Sequence, residues 1–124
     1  MISFVVPAYN EERLLGRTLA AIHAAARALA LPYELIVVDD DSTDSTAAIA
    51  RANGARVVRV QFRHIARTRN AGAWAATGST LIFVDADTIV HAAAVATIEA
   101  LGQGAAGGGA TVGLDGRAVP GGRV

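Results

Sequence analysis

The sequence has no cysteine, no lysine, three prolines, 5% aromatic residues and no excess of either charge, since 11 arginines face 11 acidic residues. Each shortage removes a class of function. Without thiols there is no disulfide framework, thiolate zinc site or cysteine nucleophile, so any metal must be held by oxygen or imidazole. A balanced net charge lacks the basic surplus on which general nucleic-acid binding draws, and no nucleic-acid partner is expected. The longest apolar stretch, residues 19–31, is interrupted by His23 and Arg27 and falls short of the ~20 residues that span a bilayer. The opening MISFVVP shows no basic segment ahead of a long apolar run, so no signal peptide is expected.

What is present is an aliphatic pattern. At 124 residues the chain is one domain or a piece of a larger one. Alanine inflates the 52% hydrophobic content while burying little area, so the core must rest on Ile, Leu, Val and Phe. Short runs at residues 2–6, 35–38, 57–60 and 81–84 read as buried strands. Leu15, Leu19, Ile22, Ala26 and Leu29 recur at helical spacing as one stripe, with Asn10 as the expected N-cap. Further helices are expected up to about Asn53, with Gly54 as the stop, over 65–77 and over about 91–101. One more strand is expected near 110–112. Strands alternating with helices, and continuously apolar, predict an α/β fold: an open, mostly parallel sheet with helices on both faces. That domain is expected to span residues 1–103. Nine of the 13 glycines fall in the last 23 residues, so the composition changes where 104–124 begin.

In open sheets of this kind ligands sit beyond the carboxyl ends of the strands, and three of the four main strands end in polar clusters. The first, Pro7-Ala8-Tyr9-Asn10-Glu11-Glu12, lacks the glycines of a dinucleotide-binding turn, and no P-loop motif occurs anywhere. Tyr9 could lie along a flat base or be a half-buried loop aromatic. The second is DDDSTD, residues 39–44. A helix cap needs only Asp44 or Ser42, whereas three consecutive aspartates repel one another unless donors or water compensate. Carboxylates there can accept from the N–H and hydroxyl groups of a nucleoside. The third is Asp85-Ala86-Asp87. If the chain stays extended, both carboxylates leave one face about 6–7 Å apart and repel by roughly 0.7 kcal/mol in water and ~2.5 kcal/mol at an effective dielectric of 20. A cation reverses that sign. Two carboxylates alone form an incomplete site for Mg²⁺ or Mn²⁺, which keep waters and take substrate phosphate oxygens, so a diphosphate-chelated metal is the expected ligand. Arg67 or Arg69, near a helix start, can meet phosphate bidentately; the arginine cluster around them has no interleaved aromatics of the kind that bind nucleic acid. His23 and His91 are expected at the surface, and Trp74 in packing.

Together, FVVPAYNEE, VVDDDSTDST, ARTRNAGAWAATG and LIFVDADT resemble the inverting family 2 glycosyltransferases of the GT-A fold, over about residues 2–100. The resemblance implies a nucleotide-diphosphate sugar donor. It implies that Pro7, Tyr9 and Glu11 line the nucleoside pocket, that Asp39 or Asp40 accepts from the base, and that Arg69 lies near the diphosphate. Asp85 and Asp87 match the D-x-D, with Asp87 the favoured ligand of Mg²⁺ or Mn²⁺. In an inverting transfer an acceptor hydroxyl attacks the anomeric carbon as the nucleoside diphosphate departs, so negative charge grows where a cation stabilises it. Members of the family carry the general base and most acceptor contacts in a second half. No E-D-like motif follows here, and Asp115 has only its residue type in its favour as a base, so the catalytic base is unassigned. The chain is therefore expected to be the donor-binding part of a longer transferase, with 104–124 as the incomplete, Gly-rich start of the acceptor-binding half. Such a piece exposes strand edges and is expected to be either marginal in stability or self-associating. The acceptor is open, and the resemblance implies a cytoplasmic location, at the inner membrane face if the remaining half docks there. Two alternatives stand beside this: a nucleotide or nucleotide-sugar binding module without turnover, and a nucleotidyltransferase, disfavoured because no Gly- and basic-rich loop follows the first strand.

Overall fold

The computed structural model describes residues 1–104 and 111–114. Strands and helices alternate: β1 (Ile2–Ala8), α1 (Leu15–Ala28), β2 (Tyr33–Asp40), α2 (Thr46–Ala52), β3 (Arg56–Val60), α3 (Ile65–Ala75), β4 (Thr80–Val84), α4 (Ala92–Gly104) and β5 (Thr111–Leu114). The five strands form one sheet in the order β3-β2-β1-β4-β5, and every pairing is parallel. The expected α/β architecture is therefore present, including the strand foreseen near residue 110. Asp115 lies outside the described residues.

The two-residue period of a strand explains the two cores. Ile2, Phe4, Val6 and Ala8 of β1, Leu35 and Val37 of β2 and Ile82 and Val84 of β4 point to one face, where they pack with Leu15, Leu19 and Ile22 of α1, Ala50 of α2 and Val95 and Ile98 of α4. Val5, Ile36, Val38 and Phe83 point to the other, against the alanines of α3. Each fully buried Leu or Ile in the larger core contributes roughly 1.5–3 kcal/mol. On the smaller face contact is closer. A Cβ at Gly72 would stand 2.2 Å from Cγ1 of Val5 and 2.9 Å from Cγ2 of Val38, so α3 rests on the sheet through a bare backbone. Gly54 ends α2 with φ +77°, the left-handed conformation a C-terminal stop requires.

Three local expectations are corrected. Asn10 does not cap α1, whose first residue follows Leu14 without any side-chain cap. Asn10 has φ 50° and its Oδ1 accepts from the N–H of Thr43 at 2.8 Å, so it joins the tails of β1 and β2 instead. His23 is half-buried and not a surface group: Nδ1 lies 2.5 Å from the Tyr33 hydroxyl and Nε2 lies 2.7 Å from the Asn53 carbonyl. A carbonyl only accepts, so Nε2 carries the proton and Nδ1 accepts from Tyr33. Trp74 is 90% exposed because its helical position faces away from the sheet. His91 is exposed, as expected.

Candidate functional site

The β1–β2 ladder runs to Ala8↔Asp39, but the β1–β4 ladder ends at Val5↔Phe83. Beyond that pair the tails of β1 and β4 part, and Pro7, without an N–H, cannot extend the ladder. This is the point where the strand order reverses, the place where an open parallel sheet offers a crevice. A cleft of about 430 Å³ opens there. Pro7, Ala8, Tyr9 and Glu11 line it from β1, Asp40 from β2, and Asp85, Ala86 and Asp87 from β4. Arg63, His64, Ile65 and Thr68 close it from the start of α3.

Polar side chains lace the strand tails together. Backbone N–H groups of Asn10, Glu11 and Glu12 donate to Ser42 Oγ (2.8 Å), Thr46 Oγ1 (2.9 Å) and Asp44 Oδ2 (3.3 Å). Asp44 also accepts from the N–H and the hydroxyl of Thr46, but the N-cap of α2 is Ser45, without a side-chain cap bond, so neither Asp44 nor Ser42 holds the cap position expected of it. Thr18 of α1 donates to the carbonyl of Ala86 at 2.9 Å, which fixes the β4 tail.

The first two aspartates of the second cluster are not solvated. Asp39 is wholly buried; its Oδ1 accepts from the N–H of Ser42 and its Oδ2 lies 3.4 Å from Nε of Arg59. It is not among the residues that line the cleft. Asp40 does line it, yet its two oxygens accept from the N–H groups of Phe62 (2.8 Å), Arg63 (2.9 Å) and His64 (3.2 Å) and from the hydroxyl of Thr68 (2.9 Å). Burial pushes its pKa up, and these bonds outweigh burial and hold it below the usual carboxylate range.

The first and third clusters meet electrostatically. Glu11 is pushed above the usual carboxylate range by burial and then by Asp87, Asp44 and Asp85, so these carboxylates share one region of negative potential. Thr88 N–H bonds the Asp85 carbonyl at 3.0 Å: the chain turns at Asp85-Ala86-Asp87, and the extended geometry expected of the pair does not persist. Among the described residues no three His, Asp or Glu side chains gather as a ready-made metal site. Asp85 and Asp87 could supply hard oxygen ligands to a divalent cation that completes its shell from water and phosphate. Arg69 Nη2 lies 3.6 Å from Asp85 Oδ1, while its Nε is buried without a hydrogen bond among the described residues.

Pro7, Tyr9, Glu11, Asp40, Asp85 and Asp87 thus converge on one cleft, with Arg69 beside them and Asp39 behind the wall. Sequence reasoning missed Arg63, His64 and Thr68. The crowding of arginines was a signal for the first; nothing in spacing announced the hydroxyl of Thr68.

The family model for glycosyl transferase family 2 matches residues 3–109. The chain belongs to glycosyl transferase family 2. Among curated family 2 relatives, an uncharacterized glycosyltransferase of Mycobacterium tuberculosis is 41% identical over 86 residues, which are 69% of this chain and 36% of that protein. Among solved structures, Staphylococcus aureus TarS 1–349 in complex with UDP-GlcNAc has a TM-score of 0.70 and 26% identity, over 96% of this chain and 36% of that one. The mannosyltransferase PcManGT of Pyrobaculum calidifontis, in complex with GDP-Man and Mn²⁺, has a TM-score of 0.62 and 29% identity, over 69% and 27%. The chain therefore spans little more than a third of these relatives, or less. No helix among the described residues is long and apolar enough to cross a membrane.

Proposed function

We propose that this family 2 chain binds a nucleotide-diphosphate sugar and forms the donor-binding part of a metal-dependent transfer, with inversion, to an acceptor hydroxyl. The observation that carries this reading is the meeting of Tyr9, Glu11, Asp85 and Asp87 at the crevice between β1 and β4. TarS and the Pyrobaculum mannosyltransferase were solved with UDP-GlcNAc and with GDP-Man and Mn²⁺, which supports a nucleotide-sugar donor and a divalent ion.

In this reading Pro7, Tyr9 and Glu11 border the nucleoside, and of the two candidate aspartates Asp40 is the one on the cleft wall. Asp85 and Asp87 hold Mg²⁺ or Mn²⁺; their oxygen donors, and the excess negative charge that raises Glu11, fit a hard cation. When bound, the ion neutralises charge that develops on a leaving diphosphate. Arg69, paired with Asp85 and with an Nε that is buried without a hydrogen bond among the described residues, stands beside the cleft as the cation that would meet a phosphate oxygen through a charge-assisted bond. The acceptor's proton goes to a base in the acceptor-binding half, which residues 104–124 begin, while residues 1–103 carry the donor. This reading includes a cytoplasmic site of action, as the resemblance implies.

Calorimetric titration of the folded chain with UDP and with GDP, each with and without Mn²⁺, tests this. The expected result is binding of one of them that strengthens markedly with Mn²⁺. No binding of either nucleotide under both conditions overturns it.

A further inference from the structure

The Asp85-Ala86-Asp87 turn stands clear of the sheet on both sides: the β1–β4 ladder ends at Val5↔Phe83 and the β4–β5 ladder at Val84↔Leu114. Its two carboxylates lie close enough to Glu11 to raise it, so like-charge repulsion acts to part the turn from β1. Against that force Ala86 is anchored inward. Its side chain is buried in the larger core, and its carbonyl accepts from Oγ1 of Thr18 at 2.9 Å, across 68 positions of chain. Thr18 is wholly buried and is not among the residues that line the cleft, as Ala86 is. A threonine within a helix commonly returns its hydroxyl to a carbonyl of the preceding turn, as Thr68 does to His64 and Thr97 to Ala93. Thr18 instead gives it to the one residue that separates the two aspartates.

We propose that Thr18 is a positioning residue for the cation: by holding the Ala86 carbonyl it fixes, before any ion arrives, the turn from which Asp85 and Asp87 serve one divalent ion. The inference rests on the donor-binding reading above and deepens it, adding a residue of α1 that touches neither nucleotide nor metal. A peptide unit is planar, so a fixed Ala86 carbonyl also fixes the direction in which the backbone enters Asp87. Ligands whose orientation is set beforehand lose less freedom when the ion binds, and groups that orient metal ligands from behind typically count 10–100-fold in affinity.

The experiment compares the unaltered chain with Thr18→Val, which keeps the side-chain volume and removes the donor, and with Thr18→Ser, which keeps the donor. UDP and GDP are titrated with and without Mn²⁺. Amide hydrogen exchange is read at Thr88, whose N–H bonds the Asp85 carbonyl at 3.0 Å and so reports closure of the turn. In the unaltered chain Thr88 is expected to be protected already without Mn²⁺. Thr18→Val is expected to exchange faster there and to lose roughly tenfold of the Mn²⁺ enhancement of nucleotide binding, with affinity in the absence of Mn²⁺ within about twofold of the unaltered chain. Thr18→Ser is expected to keep both protection and enhancement. Loss of affinity by one common factor with and without Mn²⁺ makes Thr18 a merely structural residue and overturns the inference, as does an unchanged enhancement in Thr18→Val. Where Thr18→Val does not fold, the unaltered chain still decides: protection of Thr88 that appears only with Mn²⁺ means that the ion itself orders the turn, and overturns the inference. If Mn²⁺ does not strengthen nucleotide binding in the unaltered chain, the metal-dependent reading falls and takes the role of Thr18 at the cation with it, whereas exchange in Thr18→Val still decides whether the hydroxyl holds the turn.

Discussion

Glu34 and Glu11, at opposite ends of the sheet, are held in opposite ways. At the amino end, Glu34 accepts from the Ser3 hydroxyl (2.5 Å) and from the N–H (2.6 Å) and hydroxyl (3.0 Å) of Thr77, and the Ser3 oxygen in turn accepts from the N–H of Gly78 at 2.8 Å. Burial raises its pKa, and bonds from Ser3, Thr77 and Gly78 more than reverse this. At the carboxyl end, Glu11 is raised by burial and by three other carboxylates. A carboxylate supplied with donors, as Glu34 is, serves the fold, while Glu11, raised by its acidic neighbours, marks a demand for positive charge that a ligand can meet. The second arrangement costs stability in the free protein, as binding sites commonly do.

That contrast can be broken most forcefully at Asp87. Asp87→Ala is expected to abolish the Mn²⁺ enhancement of nucleotide binding, a loss of about 100-fold or more, since even outer-shell changes at metal sites cost 10–100-fold. Unfolding by urea is expected to be no easier in this variant, because a repulsive charge is gone. Calorimetry and a denaturation curve on the same sample check both halves.

A second test uses pH. Glu34 has a folded pKa below its unfolded one, so its stabilisation is present above the unfolded value and is lost as pH falls through the folded value. Glu11 has a folded pKa above its unfolded one, so its ionised form costs stability at neutral pH, and that cost is relieved as pH falls through the folded value. Glu34→Gln is therefore expected to lower stability at pH 7 by about 0.5–1.5 kcal/mol, the range for ordinary hydrogen bonds in a part-exposed set, and Glu11→Gln to raise it slightly. Both differences are expected to shrink on acidification when unfolding is measured between neutral and acid pH without metal. The smallest effect belongs to Trp74→Ala: a side chain 90% exposed should change stability by less than about 0.5 kcal/mol despite its size, as thermal melts would show.

The strands, the helix order and the convergence of three strand ends were legible in the sequence because each follows from a local period or a local run: Val5, Val37 and Phe83 lie within the short apolar runs that mark β1, β2 and β4. What was not legible depends on residues distant in the chain. Asn10 looks like a cap in its own segment, and only Thr43 across the gap reveals its use as a tie. His23 looks like a polar interruption of a helix until Tyr33 and Asn53 enclose it. Asp40 stands beside Asp39 and Asp41 as one of three equal charges, and only the donors that reach it from residues 62–68 distinguish it. Trp74 is the reverse case, a large apolar residue whose type promised burial and whose place on α3 denies it.

The bare backbone at Gly72 has a reach beyond packing. It sits three residues, less than one helical turn, from Arg69, whose guanidinium stands 3.6 Å from Asp85. Because no methyl separates α3 from Val5 and Val38, the helix settles low enough for that cation to meet Asp85. The height of α3 over the sheet, and with it the reach of Arg69, is thus set by a single hydrogen atom on the helix face that meets Val5 and Val38.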